Sequence, residues 1–118
     1  MLTNKNLVAN CFQFHAMVDP FFPAKQKHIA ICALPLYHIY AFLVNGVGIF
    51  SKGHPNILVP NGRDEAALVK VFRKHKITFF PGVNTLFEKL LNCEDFCKIK
   101  KYHLLGSTGA GMAVLKST

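Results

Sequence analysis

His38 stands between Tyr37 and Tyr40, just after a short apolar run closed by Pro35, where an imidazole facing a cleft can hydrogen-bond a carboxylate or phosphate oxygen. Such a histidine is as readily structural, and from the residues alone both readings stand. Gly82 and the cluster Gly106-Ser107-Thr108-Gly109-Ala110-Gly111 let the main chain approach a flat ligand, because a missing Cβ removes the steric barrier. The cluster lacks the Gly-Lys-Ser/Thr ending of a phosphate loop and follows no dinucleotide fingerprint, so contact with a base or an acyl chain is favoured over contact with phosphate. Thr85, Ser107 and Thr108 offer hydroxyl donors, but hydroxyls near turns mostly bond to adjacent main chain, and none sits in a Gly-x-Ser-x-Gly elbow. Asp64-Glu65 and Glu94-Asp95 read as helix-start acids rather than paired catalytic carboxylates. Residues suited to bind a ligand are present, while catalytic acids, bases and nucleophiles are nearly absent.

Metal chemistry is equally poorly supplied. Cys93, Cys97 and His103 lack a second pair to close a tetrahedral zinc site, so no metal is expected. Together with Cys11 and Cys32 they lie in apolar or helical surroundings, and no secretory signal precedes them. A disulfide framework is not expected, and a reduced cytoplasmic setting fits better.

The elements that must position these residues follow from periodicity. Thr3 is a candidate N-cap for a helix carrying Leu7, Cys11, Phe14 and Val18 at helical spacing until Asp19-Pro20. Short apolar runs at residues 29–34, 56–59, 77–80 and 102–106 read as strands. Between them lie helices from Tyr37 to about Phe50, from Asp64 to about His75, and from an Asn84 cap through Leu86, Phe87, Leu90 and Leu91. This α-β-α-β-α-β-α-β order predicts an α/β fold: a mainly parallel sheet with right-handed crossovers and helices on its faces. The strand-to-helix loops of such a sheet gather at one edge, which is where ligands bind. His38, Thr85 and Gly109 to Gly111 are therefore expected along that edge.

With 118 residues and 51% hydrophobic content, one packed unit is expected. Eleven Phe against three Tyr and no Trp place most aromatic mass in a core or apolar pocket. The net charge of +8 is spread along the chain and thickens at Lys70-Arg73-Lys74-Lys76 and Lys98-Lys100-Lys101, without interleaved aromatics. Lys70, Arg73 and Lys74 share a helical face opposite Leu68, Val71, Phe72 and His75, which is the pattern of a solvated amphipathic helix, and no nucleic-acid partner is expected. The stretch between Lys27 and Lys52 carries no Asp, Glu, Lys or Arg and is long enough for a membrane span, but Pro35, His38, Asn45 and two glycines interrupt it. A buried strand running into a buried helix gives the same hydropathy and is preferred.

Read together, LTNKNLVAN, ALPLYHIYAFLVN, NILVPNGRD, PGVNTLFEKLLN and GAGMAV, in this order and spacing, resemble bacterial long-chain fatty-acid CoA ligases of the AMP-forming, adenylate-forming superfamily. The resemblance spans nearly the whole chain. It implies that residues 1–118 are a single partial domain, from the middle of an AMP-binding N-terminal domain. Enzymes of that family join a fatty acid to ATP, then pass the acyl group to CoA with release of AMP. By resemblance, His38 and Tyr40 belong beside the carboxylate and acyl chain, Gly82, Val83 and Thr85 form a pocket wall, and Gly109, Ala110 and Gly111 form the small-residue strip between acyl group and adenine. Two departures fall at that strip, where Ala110 replaces a usual glycine and Ala113 a usual proline.

The family's phosphate loop is expected just before Met1-Leu2-Thr3, and its magnesium-binding glutamate, ribose-binding aspartate and catalytic lysine beyond Thr118. The chain alone is therefore expected to hold no cofactor and to be inactive, whereas the longer enzyme would use ATP, Mg2+ and CoA with a fatty acid. The longer enzyme is expected in the cytoplasm, with peripheral association at the inner face of the membrane allowed for. A different adenylate-forming ligase acting on an aryl or short-chain acid is the alternative enzyme reading. A small basic module for nucleic acid or lipid is the alternative outside enzymes, marked by salt-dependent binding.

Overall fold

The computed structural model describes residues 1–100 and 102–109. Helix α1 spans Asn4–Val18 because Thr3 caps it: the Thr3 hydroxyl accepts from the Asn6 N–H at 3.2 Å, and Asn6 Oδ1 accepts from the Thr3 N–H at 3.0 Å. This is a capping box with Asn in place of the usual Glu or Gln. Cys11, Phe14 and Val18 are buried from α1, and a 3-10 turn over Asp19–Phe21, opened by Pro20, ends it.

Strand β1, Ala30–Cys32, is buried throughout, as a strand covered on both faces must be. Helix α2 starts at Ile39–Ala41 and widens into a π-helix over Phe42–Ile49. Strand β2, Asn56–Leu58, leads to α3, Glu65–Lys74, which Asp64 caps by accepting from the Ala67 N–H at 3.2 Å. Strand β3, Phe79–Gly82, is followed by α4, Asn84–Leu91, the short α5, Glu94–Cys97, and β4, Gly106–Gly109. The charge-free stretch holds β1 and α2, and no helix among the described residues is long and apolar enough to cross a membrane.

The four strands are parallel in the order β2-β1-β3-β4, so the expected α/β architecture with a parallel sheet is observed. One face carries Ile31, Ala33, Ile77 and Phe80 against Leu68 and Phe72 of α3 and Leu86 and Leu90 of α4. On the other, Ala30 and Phe79 meet Phe14 and Val18 of α1 and Val44 and Ile49 of the π-helix. Each fully buried Leu, Ile or Phe contributes about 1.5–3 kcal/mol, so these two layers dominate the stability. Asn45, fully buried in the π-helix, ties it to the sheet: its Nδ2 donates to the Ile31 carbonyl at 3.1 Å and to Asn56 Oδ1 at 2.9 Å, while Asn56 Nδ2 donates back to the Asn45 carbonyl at 2.9 Å.

Three expectations are corrected in detail. β3 begins at Phe79 rather than Ile77; before it Thr78 meets Ile29 with both main chain and side chain, its N–H donating to the Ile29 carbonyl at 2.9 Å and its hydroxyl accepting from the Ile29 N–H at 3.0 Å. β4 is Gly106–Gly109 rather than Tyr102–Leu105, so the first part of the glycine cluster is strand and not loop. Its small residues lie beside the bulky Phe79 and Phe80, and the register is set where Leu105 and Gly106 donate their N–H groups to the Thr78 carbonyl, at 2.8 and 3.2 Å. Asn84 is the first residue of α4, and Val83 is its N-cap.

Candidate functional site

The strand order reverses between β1 and β3: from β1 the chain moves outward to β2, then crosses back to β3 and on to β4. Such a switch point leaves a crevice at the carboxyl ends of the strands, because the loops on either side depart in opposite directions. β1 stays with β2, where the Val59 N–H still reaches the Cys32 carbonyl at 3.0 Å, and β3 stays with β4 along all of Phe79–Gly82. Between β1 and β3, however, the register holds only Ala30 opposite Phe79. Pro81 helps to explain this single bridge, since it has no N–H to offer a neighbouring strand.

The crevice opens into a cavity of about 1030 Å³. Its wall is formed by Cys32 to Tyr37 after β1, Leu58 to Arg63 after β2, and Val83, Thr85, Leu86 and Lys89 at the start of α4. Most of this lining is apolar. At the rim, Lys89 Nζ donates to the Arg63 carbonyl at 2.9 Å and lies 3.7 Å from the Glu65 carboxylate. Gly62 is required beneath it, since a Cβ there would stand 2.2 Å from the Ala33 carbonyl oxygen. Burial pushes the Cys32 thiol above its ordinary value, so it stays protonated and is a poor nucleophile. A smaller apolar cavity of about 260 Å³ lies under β4 between Phe80, Phe87, Leu90 and Phe96, and Ser107 closes its polar side by donating to the Phe80 carbonyl at 2.7 Å.

The residues singled out in the sequence fall as follows. Val83 and Thr85 line the large cavity. His38 sits at the same edge as the N-cap of α2, exposed, with Nδ1 accepting from the Tyr40 N–H at 3.3 Å. Gly82 ends β3 inside the protein, and a Cβ on it would stand 2.6 Å from Phe87 Cε1. Tyr40 points across to β4, donating to the Thr108 carbonyl at 2.7 Å with its oxygen 2.6 Å from Thr108 Oγ1. Burial raises its phenol above the ordinary 10.0, against the lowering effect of hydrogen bonds from the Thr108 side chain and the Gly82 backbone. Gly109 ends β4 at this same edge, whereas Ala110 and Gly111 lie outside the described residues.

Sequence reasoning missed Arg63 and Lys89 at the rim. A signal existed: Arg63 closes the turn after β2, and Lys89 follows Thr85 by one helical turn. Among the described residues no group of three or more His, Cys, Asp or Glu is placed to hold a metal ion. The geometry suits an apolar chain with a polar or anionic end at the rim. Nothing in the described cavity wall is arranged as a nucleophile with its base.

Comparison with known proteins fits this geometry. Residues 1–115 match the model of the AMP-binding enzyme family. The long-chain-fatty-acid–CoA ligase of Haemophilus influenzae is 40% identical over 118 residues, covering 99% of this chain and 21% of the relative. That of Escherichia coli O6:H1 is 41% identical over 115 residues, covering 97% and 20%. The chain thus spans about a fifth of the length of the curated relatives it matches. Among solved structures, ATP-bound MatB from Rhodopseudomonas palustris superposes on 80% of this chain and 18% of its own with a TM-score of 0.66 at 24% identity. The o-succinylbenzoate CoA synthetase of Bacillus subtilis does so on 68% and 16%, with a TM-score of 0.57 at 20% identity, which likewise shows the fold. The parallel sheet with its switch-point crevice therefore belongs to a member of the AMP-binding enzyme family, the family to which this chain belongs.

Proposed function

We propose that the chain is the acyl-pocket part of a long-chain fatty-acid–CoA ligase, taken from the middle of its N-terminal domain. The longer enzyme couples a fatty acid to ATP and then to CoA, releasing AMP and pyrophosphate. The observation that carries this reading is the contrast in identity: 37–41% to long-chain ligases over nearly the whole chain, against 28% to a 4-coumarate–CoA ligase and 30% to a medium-chain acyl-CoA ligase over shorter stretches. The apolar cavity supports it, since a long acyl chain needs a deep unpolar wall. Within it, Val83 and Thr85 border the acyl chain, His38 stands at the carboxylate end, and Gly109 with the residues that follow borders the adenine. Magnesium belongs to the same reaction, but among the described residues no group of three or more His, Cys, Asp or Glu would hold it. The longer enzyme works in the cytoplasm and meets fatty acids at the inner face of the membrane.

The test is a segment exchange, in which residues 1–115 replace the matching fifth of the Haemophilus influenzae relative. Fatty-acid-dependent AMP release, strongest for long chains, is expected. A folded exchange enzyme that is inactive, or that prefers aryl or short-chain acids, overturns the proposal.

A further inference from the structure

Tyr40 has been assigned beside the acyl chain only by resemblance, and its hydrogen bonds point elsewhere. A phenol carries one proton and accepts two further hydrogen bonds. The proton goes to the Thr108 carbonyl at 2.7 Å and the Thr108 hydroxyl lies 2.6 Å from the same oxygen, so the phenol is engaged by β4 rather than turned to a ligand. Thr108 lies 68 positions along the chain from Tyr40, on a strand that never pairs with β1. At the carboxyl edge β1 and β3 share the single bridged pair Ala30 and Phe79, whereas β1 stays bridged to β2 and β3 to β4 along their lengths. Tyr40, carried on α2 directly after the β1 loop, bonds across β3 to the end of β4. Its ring meanwhile packs on the cluster of Phe14, Phe22 and Phe79. Removing the oxygen alone would keep this packing and release the tie.

We propose that Tyr40 is a positioning residue: its hydroxyl, through Thr108, sets where the end of β4 stands against the β1 loop. This rests on the ligase reading above, in which β4 runs into the nucleotide strip and the β1 loop borders the acyl group. The tie then governs how well adenine and acyl group are aligned, while the acyl chain itself is held by other residues.

The experiment uses the exchange enzyme with Tyr40, with Tyr40→Phe, with Thr108→Val and with both. Tyr40→Phe is expected to raise KM for ATP about tenfold, the scale of one lost network of hydrogen bonds, and to leave KM for fatty acid within about twofold. Thr108→Val should reproduce the direction of this split, and the double variant should be no worse than Tyr40→Phe, because both remove one interaction. Equal rises in both KM values would make Tyr40 an acyl contact or a merely structural residue, and effects that multiply in the double variant would show that the two act separately. Either result overturns the proposal. If the exchange enzyme with native Tyr40 is folded and inactive, the ligase reading itself fails, a result distinct from both.

Discussion

At the scale of single residues, His38 carries two roles that can be separated. As the N-cap of α2 it accepts one main-chain N–H, and caps of this kind are worth about 1 kcal/mol. If it also contacts the substrate carboxylate, His38→Ala in the exchange enzyme should lower acyl-adenylate formation far more than the melting temperature; a parallel loss of both would leave only the cap. Tyr40 has a pH signature of its own. Its phenol is raised above 10.0 by burial, so the folded state favours the neutral form more than the unfolded chain does. The stabilisation is complete below pH about 10 and is lost as the pH climbs through the raised value. Alkaline unfolding should therefore start at lower pH for the native chain than the trend of Tyr40→Phe, which has no phenol to ionise there. Coincident alkaline limbs, normalised to neutral pH, would show that ionisation of Tyr40 does not matter to the fold.

At the scale of elements, the two loops that frame the cavity depend on close main-chain approach and on one buried amide. Gly62→Ala would drive a Cβ into the Ala33 carbonyl at 2.2 Å, and since both partners are main chain the loops after β1 and β2 must separate. A loss of about 1–3 kcal/mol is expected from such overpacking, read by chemical denaturation. Asn45 is a different kind of support. Asn45→Leu removes both of its side-chain donations and leaves the Ile31 carbonyl and Asn56 Oδ1 without them inside the protein. About 2–3 kcal/mol should be lost, with the π-helix loosening from β1 and β2 before α3 and α4 loosen from the other face. Hydrogen exchange would reveal that order, and uniform loss of protection would contradict it.

At the scale of the whole molecule, the described residues form apolar cavity walls with only Arg63 and Lys89 as cations at the rim. Among the described residues no metal-binding cluster exists, and the chain covers about a fifth of its relatives. The 118-residue chain by itself is therefore expected to show no fatty-acid-dependent exchange of pyrophosphate into ATP, while binding long fatty acids weakly. A purified sample with such exchange would falsify this. The basic face of α3 is expected to give only shallow salt dependence toward DNA, because Lys70, Arg73 and Lys74 lie exposed on the outer side of a packed helix without aromatic platforms. A steep dependence would return the small basic module to consideration.

Local chemistry made much of this legible in the amino-acid order. Thr3 and Asp64 announce helix starts because a cap is formed within three residues, and Leu68 with Phe72 declares a buried helix face by spacing alone. The alternation of such helices with short apolar runs was enough for a parallel sheet, and that sheet places Thr85 and Gly109 at one edge. Strand ends were not readable in the same way. Ahead of β3 Thr78 meets Ile29, and where β4 lies depends on Phe79 and Phe80 beside it, both partners distant in sequence. The function of Tyr40 was hidden for the same reason. The resemblance makes it a residue beside the acyl chain, and only the docking of β4 beside β3 brings Thr108 to its hydroxyl. What neighbours in sequence can satisfy, the sequence determines; what a buried polar group must find across the sheet is decided by the tertiary structure, because its partner exists only once the strands have docked.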